Sequence, residues 1–307
     1  MQFEELISLD SDSLQQLHPI GVIFLFKYPT SEKPARDKPN DGEFDYSVLD
    51  SSTQQEGDEP VWFAAQTIQN ACGTQALLSV LLNKDGVSEE DGDRVDIGPN
   101  LKEFKEFTSA FPPDIRGEAL SNSDLIRDVH NSFARSSPFV SDETKIATED
   151  DDVYHFIAYT SINDTLYELD GLQPAPIRHG DPGACPSEIF ADAVVPVLQR
   201  RIERYPQTEI RFNLLAMCED LRKKAREIGD QEMLAREEHK RREWRWENAL
   251  RRHNFVGLIG EVMKGVTAQK LKDGRYEKWI EDAKASTQKR LDDRKRKGMA
   301  GEEMDVS

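Results

Sequence analysis

Cysteine is scarce in this chain: 307 residues carry only Cys72, Cys185 and Cys218. An odd count without metal-ligand spacing argues against a disulfide framework or a zinc site. Long apolar runs are also missing. The longest near the start, Gly21-Val-Ile-Phe-Leu-Phe26, is strand-sized and far too short to cross a bilayer. The opening Met-Gln-Phe-Glu-Glu lacks the basic and apolar regions of a signal peptide, so an intracellular protein is expected. No internal repeat is visible.

Basic residues are sparse until late in the chain. From residue 219 onward there are 23 Lys and Arg against 19 Asp and Glu, a net of +4. The remaining 17 basic and 39 acidic residues give residues 1–218 a net of −22, within the whole-chain −18. Such a split predicts two modules with different partners. An acidic body disfavours nucleic acid and favours a basic protein partner through electrostatic steering.

Periodicity and punctuation place the elements. The run at 21–26, between Pro19 and Pro29, reads as a buried strand. Residues 29–60, rich in Pro, Asp, Ser and Gly, read as a partly disordered loop. Residues 71–82 are apolar almost all round and predict a buried helix, with Asn70 as its cap. A helix over 101–111 is stopped by Pro112 and Pro113. Ser121-Asn-Ser-Asp124 opens another, which places Leu125, Ile126, Val129 and Phe133 on one face. Residues 136–152 read as an exposed loop. Strands at 153–159 and 166–169, joined at Asn163-Asp164, form a hairpin. A Pro- and Gly-rich loop follows at 174–186, then a helix that Pro196 starts or kinks and that reaches Tyr205, and a strand over 209–215. Beyond Cys218 the chain is charged and helix-prone, with a break at Gly229-Asp230 and an apolar stripe of Phe255, Leu258, Ile259, Val262 and Met263.

A lone cysteine is usually a small buried hydrophobe, so a catalytic Cys72 needs company. It lies at the start of the helix over 71–82, where unpaired N–H groups favour thiolate over thiol. Gln66, six residues upstream, can donate to a developing oxyanion. A thiolate nucleophile also needs a base, and the base an orienting partner. His155 and Asp170 supply both on the hairpin. A turn at Asn163-Asp164 makes them diagonal neighbours on one face, within side-chain reach. His18, His130, His179, His239 and His253 have no comparable company; His130 falls in a helix and the others read as surface or loop residues. Cys185 and Cys218 read as structural. Arg294-Lys-Arg-Lys297 fits a nuclear-import signal or a solvated helix end.

These residues resemble the ubiquitin C-terminal hydrolase family. Gln66-Thr-Ile-Gln-Asn-Ala-Cys-Gly-Thr-Gln75 is similar to its active-site segment. Tyr154-His-Phe-Ile-Ala-Tyr159 and Leu166-Tyr-Glu-Leu-Asp-Gly171 are similar to its histidine and aspartate strands. The resemblance spans residues 3–217, and the tail, with Arg252-His-Asn-Phe255, resembles the long-tailed, proteasome-associated subclass.

It implies an α+β, papain-like fold, a central sheet flanked by helices, followed by a helical extension. The catalytic domain would be residues 1–217, the partner-binding helices 218–298 and a disordered acidic tail 299–307. Cys72 would attack the carbonyl at ubiquitin's C-terminal glycine. His155 would serve as general base and acid, Asp170 would orient it, and Gln66 would stabilise the oxyanion. The resemblance implies no cofactor. Residues 136–152 would cross over the site, and the C-terminal helices would recruit the protein to a ubiquitin receptor of the proteasome regulatory particle, in cytoplasm and nucleus. Family members carry further residues before the point matching Phe3, so an incomplete sheet edge is expected. That edge favours a second reading, a catalytically weak ubiquitin-binding scaffold; a papain-like hydrolase with another substrate is a third.

Overall fold

The apolar run after Pro19 becomes a strand covered on both faces, as its lack of alternation requires. The computed structural model describes residues 1–28, 39–49, 60–86, 95–133, 153–206, 209 and 211–304. In chain order its elements begin with β1 (Gln2–Glu5), α1 (Ser11–Leu17), β2 (Gly21–Lys27), β3 (Glu43–Phe44), α2 (Cys72–Asn83), α3 (Gly98–Thr108), α4 (Pro113–Asn122) and α5 (Asp124–Ser132). They continue with β4 (Tyr154–Ile162), β5 (Thr165–Leu169), β6 (Ile177–His179), α6 (Phe190–Ile202), β7 (Asn213–Cys218), α7 (Leu221–Glu227), α8 (Gln231–Arg252), α9 (Val256–Lys272) and α10 (Tyr276–Met304). The strands form one sheet in the order β1-β7-β2-β4-β5-β6-β3, with every pair antiparallel. This is the α+β architecture that the resemblance implies.

Alternate residues of the sheet feed two apolar layers. Val22, Phe24 and Phe26 of β2 with Ile157 and Tyr159 of β4 pack on Val194 and Leu198 of α6 and Leu14 of α1. Ile23 and Ala158 face the other way, onto Ala76 and Val80 of α2. Each large side chain buried in these layers contributes about 1.5–3 kcal/mol. Behind α2, Leu78 and Leu82 meet Trp62, Leu120 of α4 and Ile126 of α5.

Residues 61–66 lie outside the sheet, so their backbone groups need other partners, and several of these are side chains. Asn83 of α2 supplies two: its Oδ1 accepts from the Trp62 N–H at 2.7 Å and its Nδ2 donates to the Trp62 carbonyl at 2.8 Å. Arg116 of α4, buried, donates to the carbonyls of Val61 at 3.2 Å and Phe63 at 3.3 Å, and to those of Thr108 and Ser109. Gln75 Nε2 donates to the Ala64 carbonyl. The segment that delivers Gln66 is thereby held as firmly as a strand.

Several expectations change. The incomplete sheet edge carries β1, paired with β7 from Gln2 opposite Cys218 to Glu5 opposite Leu215. Side chains of α8 bond to that strand: Lys240 Nζ to Glu4 at 2.7 Å and 3.0 Å, and Arg241 to Gln2. The two-residue β3 and three-residue β6 arise inside segments read as loops, too short and Pro-flanked to show a period. The helix expected to start or kink at Pro196 begins six residues earlier, with Pro196 inside it, and the last strand is Asn213–Cys218 rather than 209–215. Gly229, at φ 72°, separates α7 from α8 as expected.

The chain divides into two compact units, one running through Trp246 and one from Glu247. The first therefore takes in α7 and much of α8, beyond the boundary expected at residue 217. In the second, α9 and α10 are joined at Gly274, with φ 68°. Helix α10 extends to Met304, through part of the segment expected as a disordered tail; Ala, Glu and Met are strong helix formers. The apolar stripe lies on α9, and Leu258, Ile259 and Val262 are more than half exposed. No helix among the described residues is long and apolar enough to cross a membrane.

Candidate active site

Helix α2 has no side-chain cap. A tight turn over Gln69–Ala71 runs straight into it, and the capping position falls to Ala71. Asn70 is therefore not the cap expected from sequence, because it is already inside that turn. The uncapped start leaves orphan N–H groups and the positive end of the helix dipole beside Cys72, which is half-buried.

The hairpin brings the base to it. Asn163 and Asp164 have φ of 48° and 54°, the left-handed pair of a two-residue type I′ turn. Ala158 then faces Leu169 and Ile162 faces Thr165, so His155 and Asp170 are diagonal neighbours on one face, as the turn at that position predicts. His155 Nε2 and Asp170 Oδ1 lie 2.6 Å apart, and both residues are buried. That bond leaves Nδ1 to face the thiol. Asp170 is itself fixed, its Oδ1 accepting from the Leu172 N–H at 3.0 Å and its Oδ2 from Gln173 Nε2 at 3.3 Å. The rings of Phe26 and Tyr28 stand nearly perpendicular to the imidazole, with centroids at 5.8 Å and 5.4 Å.

Electrostatics favour the ion pair. Burial pushes the Cys72 thiol up, but hydrogen bonds from His155 and from the backbone N–H groups of Phe156 and Gly73 outweigh it and hold the thiol below its ordinary value. Burial disfavours the charged imidazole, yet hydrogen bonds to Asp170 and Cys72 raise His155 from 6.5 to about 9. Both shifts move the pair toward a thiolate beside an imidazolium. The other cysteines have the opposite environment: burial raises Cys185, and pushes Cys218 up to about 12.

Gln66 lies against the same turn, with its N–H donating to the Gly171 carbonyl at 2.8 Å. Gly171 must be glycine there, because a Cβ would sit 2.1 Å from Gln75 Nε2 and 3.0 Å from Gln66 Cβ. The four residues singled out from sequence thus fall on three adjoining pieces of one site.

Sequence reasoning missed its surroundings. Leu125, Val129 and Phe133, expected on one face with Ile126, are exposed while Ile126 is buried. With Leu77 and Phe156 they line a cavity of about 660 Å³ that reaches Cys72. His130, set aside as lacking company, bonds through Nδ1 to Thr74 Oγ1 at 2.8 Å in the same cavity. His179, read as a surface or loop residue, is buried with Nε2 3.2 Å from Glu168 Oε2. The crossing loop at 136–152 lies outside the described residues. Among the described residues no cluster of His, Cys, Asp and Glu is arranged to hold a metal ion.

Comparison with known proteins gives a consistent set. Residues 1–203 match the family described as Ubiquitin carboxyl-terminal hydrolase, family 1, and residues 230–271 match one described as Ubiquitin carboxyl-terminal hydrolases. Ubiquitin carboxyl-terminal hydrolase 2 of Schizosaccharomyces pombe is 48% identical over 301 residues, covering 94% of this chain and 92% of its own. Ubiquitin carboxyl-terminal hydrolase ubh-4 of Caenorhabditis elegans is 34% identical over 309 residues, covering 94% and 88%. Among solved structures, Trichinella spiralis UCH37 bound to ubiquitin vinyl methyl ester has a TM-score of 0.54 and 32% identity, covering 81% of this chain and 89% of that one.

Proposed function

The chain belongs to the ubiquitin carboxyl-terminal hydrolase family and is a thiol-dependent deubiquitinase, and from that premise we propose that Cys72, His155, Asp170 and Gln66 carry its chemistry. The observation that supports this most is the buried 2.6 Å bond between His155 and Asp170, with the Cys72 thiol held by His155 at the open start of α2. The Cys72 thiolate attacks the carbonyl of ubiquitin's C-terminal glycine. The Gln66 carboxamide, with N–H groups at the start of α2, stabilises the oxyanion that forms. The His155 imidazolium gives its proton to the departing amine, leaving a thioester on Cys72. Neutral His155 then takes a proton from water, whose attack releases ubiquitin with a free carboxylate and restores the thiol pair. Asp170 holds the ring in the tautomer and orientation both steps need.

The acidic body suits ubiquitin's basic face and arginine-bearing tail. Catalysis is assigned to residues 1–217 and partner binding to the helices of 218–298. Hydrolysis of a fluorogenic amide on the ubiquitin C terminus tests the function: turnover by the wild type and none by Cys72→Ala is the expected result.

Recruitment to the proteasome regulatory particle, in both cytoplasm and nucleus, is assigned to the exposed stripe of α9. The exposed row of Phe255, Leu258, Ile259 and Met263 suits a helix-in-groove contact with a ubiquitin receptor. Ile259→Asp is expected to weaken capture by regulatory particles at least about tenfold while leaving hydrolysis of the small fluorogenic substrate unchanged. Capture as strong as the wild type's counts against the stripe.

A further inference from the structure

The catalytic histidine is backed by a second polar assembly, on the α6 side of the sheet. Phe26 stands opposite His155 in the β2–β4 register. The guanidinium of Arg201, from the last turn of α6, lies 4.5 Å from the Phe26 ring centroid. Its Nη1 meets Glu168 Oε1 at 2.6 Å. Glu168 is on β5, two residues before Asp170, and is itself buried. Tyr159 Oη donates to its other oxygen at 2.9 Å, and His179 Nε2 reaches the same atom at 3.2 Å. Burial opposes the charge on Arg201, but Glu168, Tyr159 and Asp170 hold it protonated.

One side chain therefore touches both neighbours of the dyad: the ring that faces His155 and the carboxylate two residues before Asp170. We infer that Arg201, locked by Glu168, is a positioning residue for His155, pressing Phe26 against the imidazole and setting a fixed positive charge behind it. The inference rests on the assignment of His155 as general base and acid.

A structural ion pair would need only to hold α6 on the sheet. A positioning pair also sets how long His155 stays protonated. The titratable and charged groups around His155 are Cys72 from α2, Asp170 after β5, Tyr28 after β2, and Arg201 and Tyr205 behind Phe26. Glu168, His179 and Tyr159 surround Arg201 in turn. A positive charge behind the ring opposes the imidazolium. Removing it lets His155 hold its proton to higher pH; removing its counter-charge does the reverse.

The test is the pH profile of kcat and KM for the fluorogenic ubiquitin amide, with thermal unfolding of each variant. The wild-type upper limb is expected at about 9, where His155 gives up its proton. Arg201→Met is expected to move this limb up and Glu168→Gln to move it down, each by about half a unit. In both, kcat falls about tenfold while KM stays within about twofold. Arg201→Lys keeps the charge but not the planar stack, so it returns the limb to its wild-type position while kcat stays low. If Arg201→Met fails to fold, Glu168→Gln and Arg201→Lys decide by the same readings. Limbs that stay put in every folded variant overturn the inference, whether kcat is unchanged or falls only in step with lost stability. A His155→Asn variant run alongside separates the two claims: if it keeps wild-type turnover, the assignment of His155 fails, whatever the limbs do.

Discussion

His155→Asn is expected to lower kcat/KM for the ubiquitin amide by about 10³–10⁴-fold near neutral pH, with little change in KM. The imidazole does two things that asparagine cannot. It favours ionisation of Cys72, because its hydrogen bond and charge, with the backbone N–H groups of Phe156 and Gly73, outweigh the burial that would keep the thiol protonated. It also carries the proton to the leaving amine. The variant therefore loses the nucleophile's ionisation as well as the acid. Alkylation of Cys72 by iodoacetamide separates these losses. In the wild type the rate is expected to reach its plateau below the ordinary thiol range, and in the variant only well above neutrality. A variant that keeps the wild-type alkylation profile shows that something other than His155 ionises Cys72.

The second large effect is on stability. Arg116→Met is expected to destabilise the fold by about 3–5 kcal/mol. Arg116 is a buried cation bonded to the carbonyls of Val61, Phe63, Thr108 and Ser109. Methionine fills much of the same volume without a donor, so these acceptors lose their partner, at about 1–3 kcal/mol for each one left unsatisfied. Stabilities of domains this size are about 5–15 kcal/mol, so urea denaturation resolves the change. Residues 61–66 end at Gln66, and the variant's remaining folded fraction should also show a lower kcat as that segment loosens. A loss under about 1 kcal/mol means that water or relaxation serves these carbonyls as well as Arg116 does.

The meeting of His155 and Asp170 was legible in the sequence because it depends on local order and parity. Asn163-Asp164 sets the hairpin register, and its even offset keeps His155 and Asp170 on one face. A buried strand at 21–26 and a buried helix at 71–82 followed from runs without a polar face, and the structure has them at Gly21–Lys27 and Cys72–Asn83. What escaped depends on tertiary contact. The pattern of Leu125, Val129 and Phe133 identifies an apolar face but not whether protein covers it, and here it lines the cavity at Cys72. His179 sits among prolines and glycines that read as loop, yet β6 pairs with β5 and buries it against Glu168. No local signal tells Arg201 from the surface arginine Arg200 beside it; only the packing of α6 over Phe26 does. Asn70 has the residue type of a cap, and the tight turn before Cys72 takes that role away.

The most direct test of the whole account is peptide mapping by mass spectrometry after reaction with ubiquitin vinyl methyl ester. One ubiquitin adduct per chain, on Cys72 and absent from Cys72→Ala, is the predicted result. No adduct from folded protein, or an adduct on Cys185 or Cys218 instead, contradicts it.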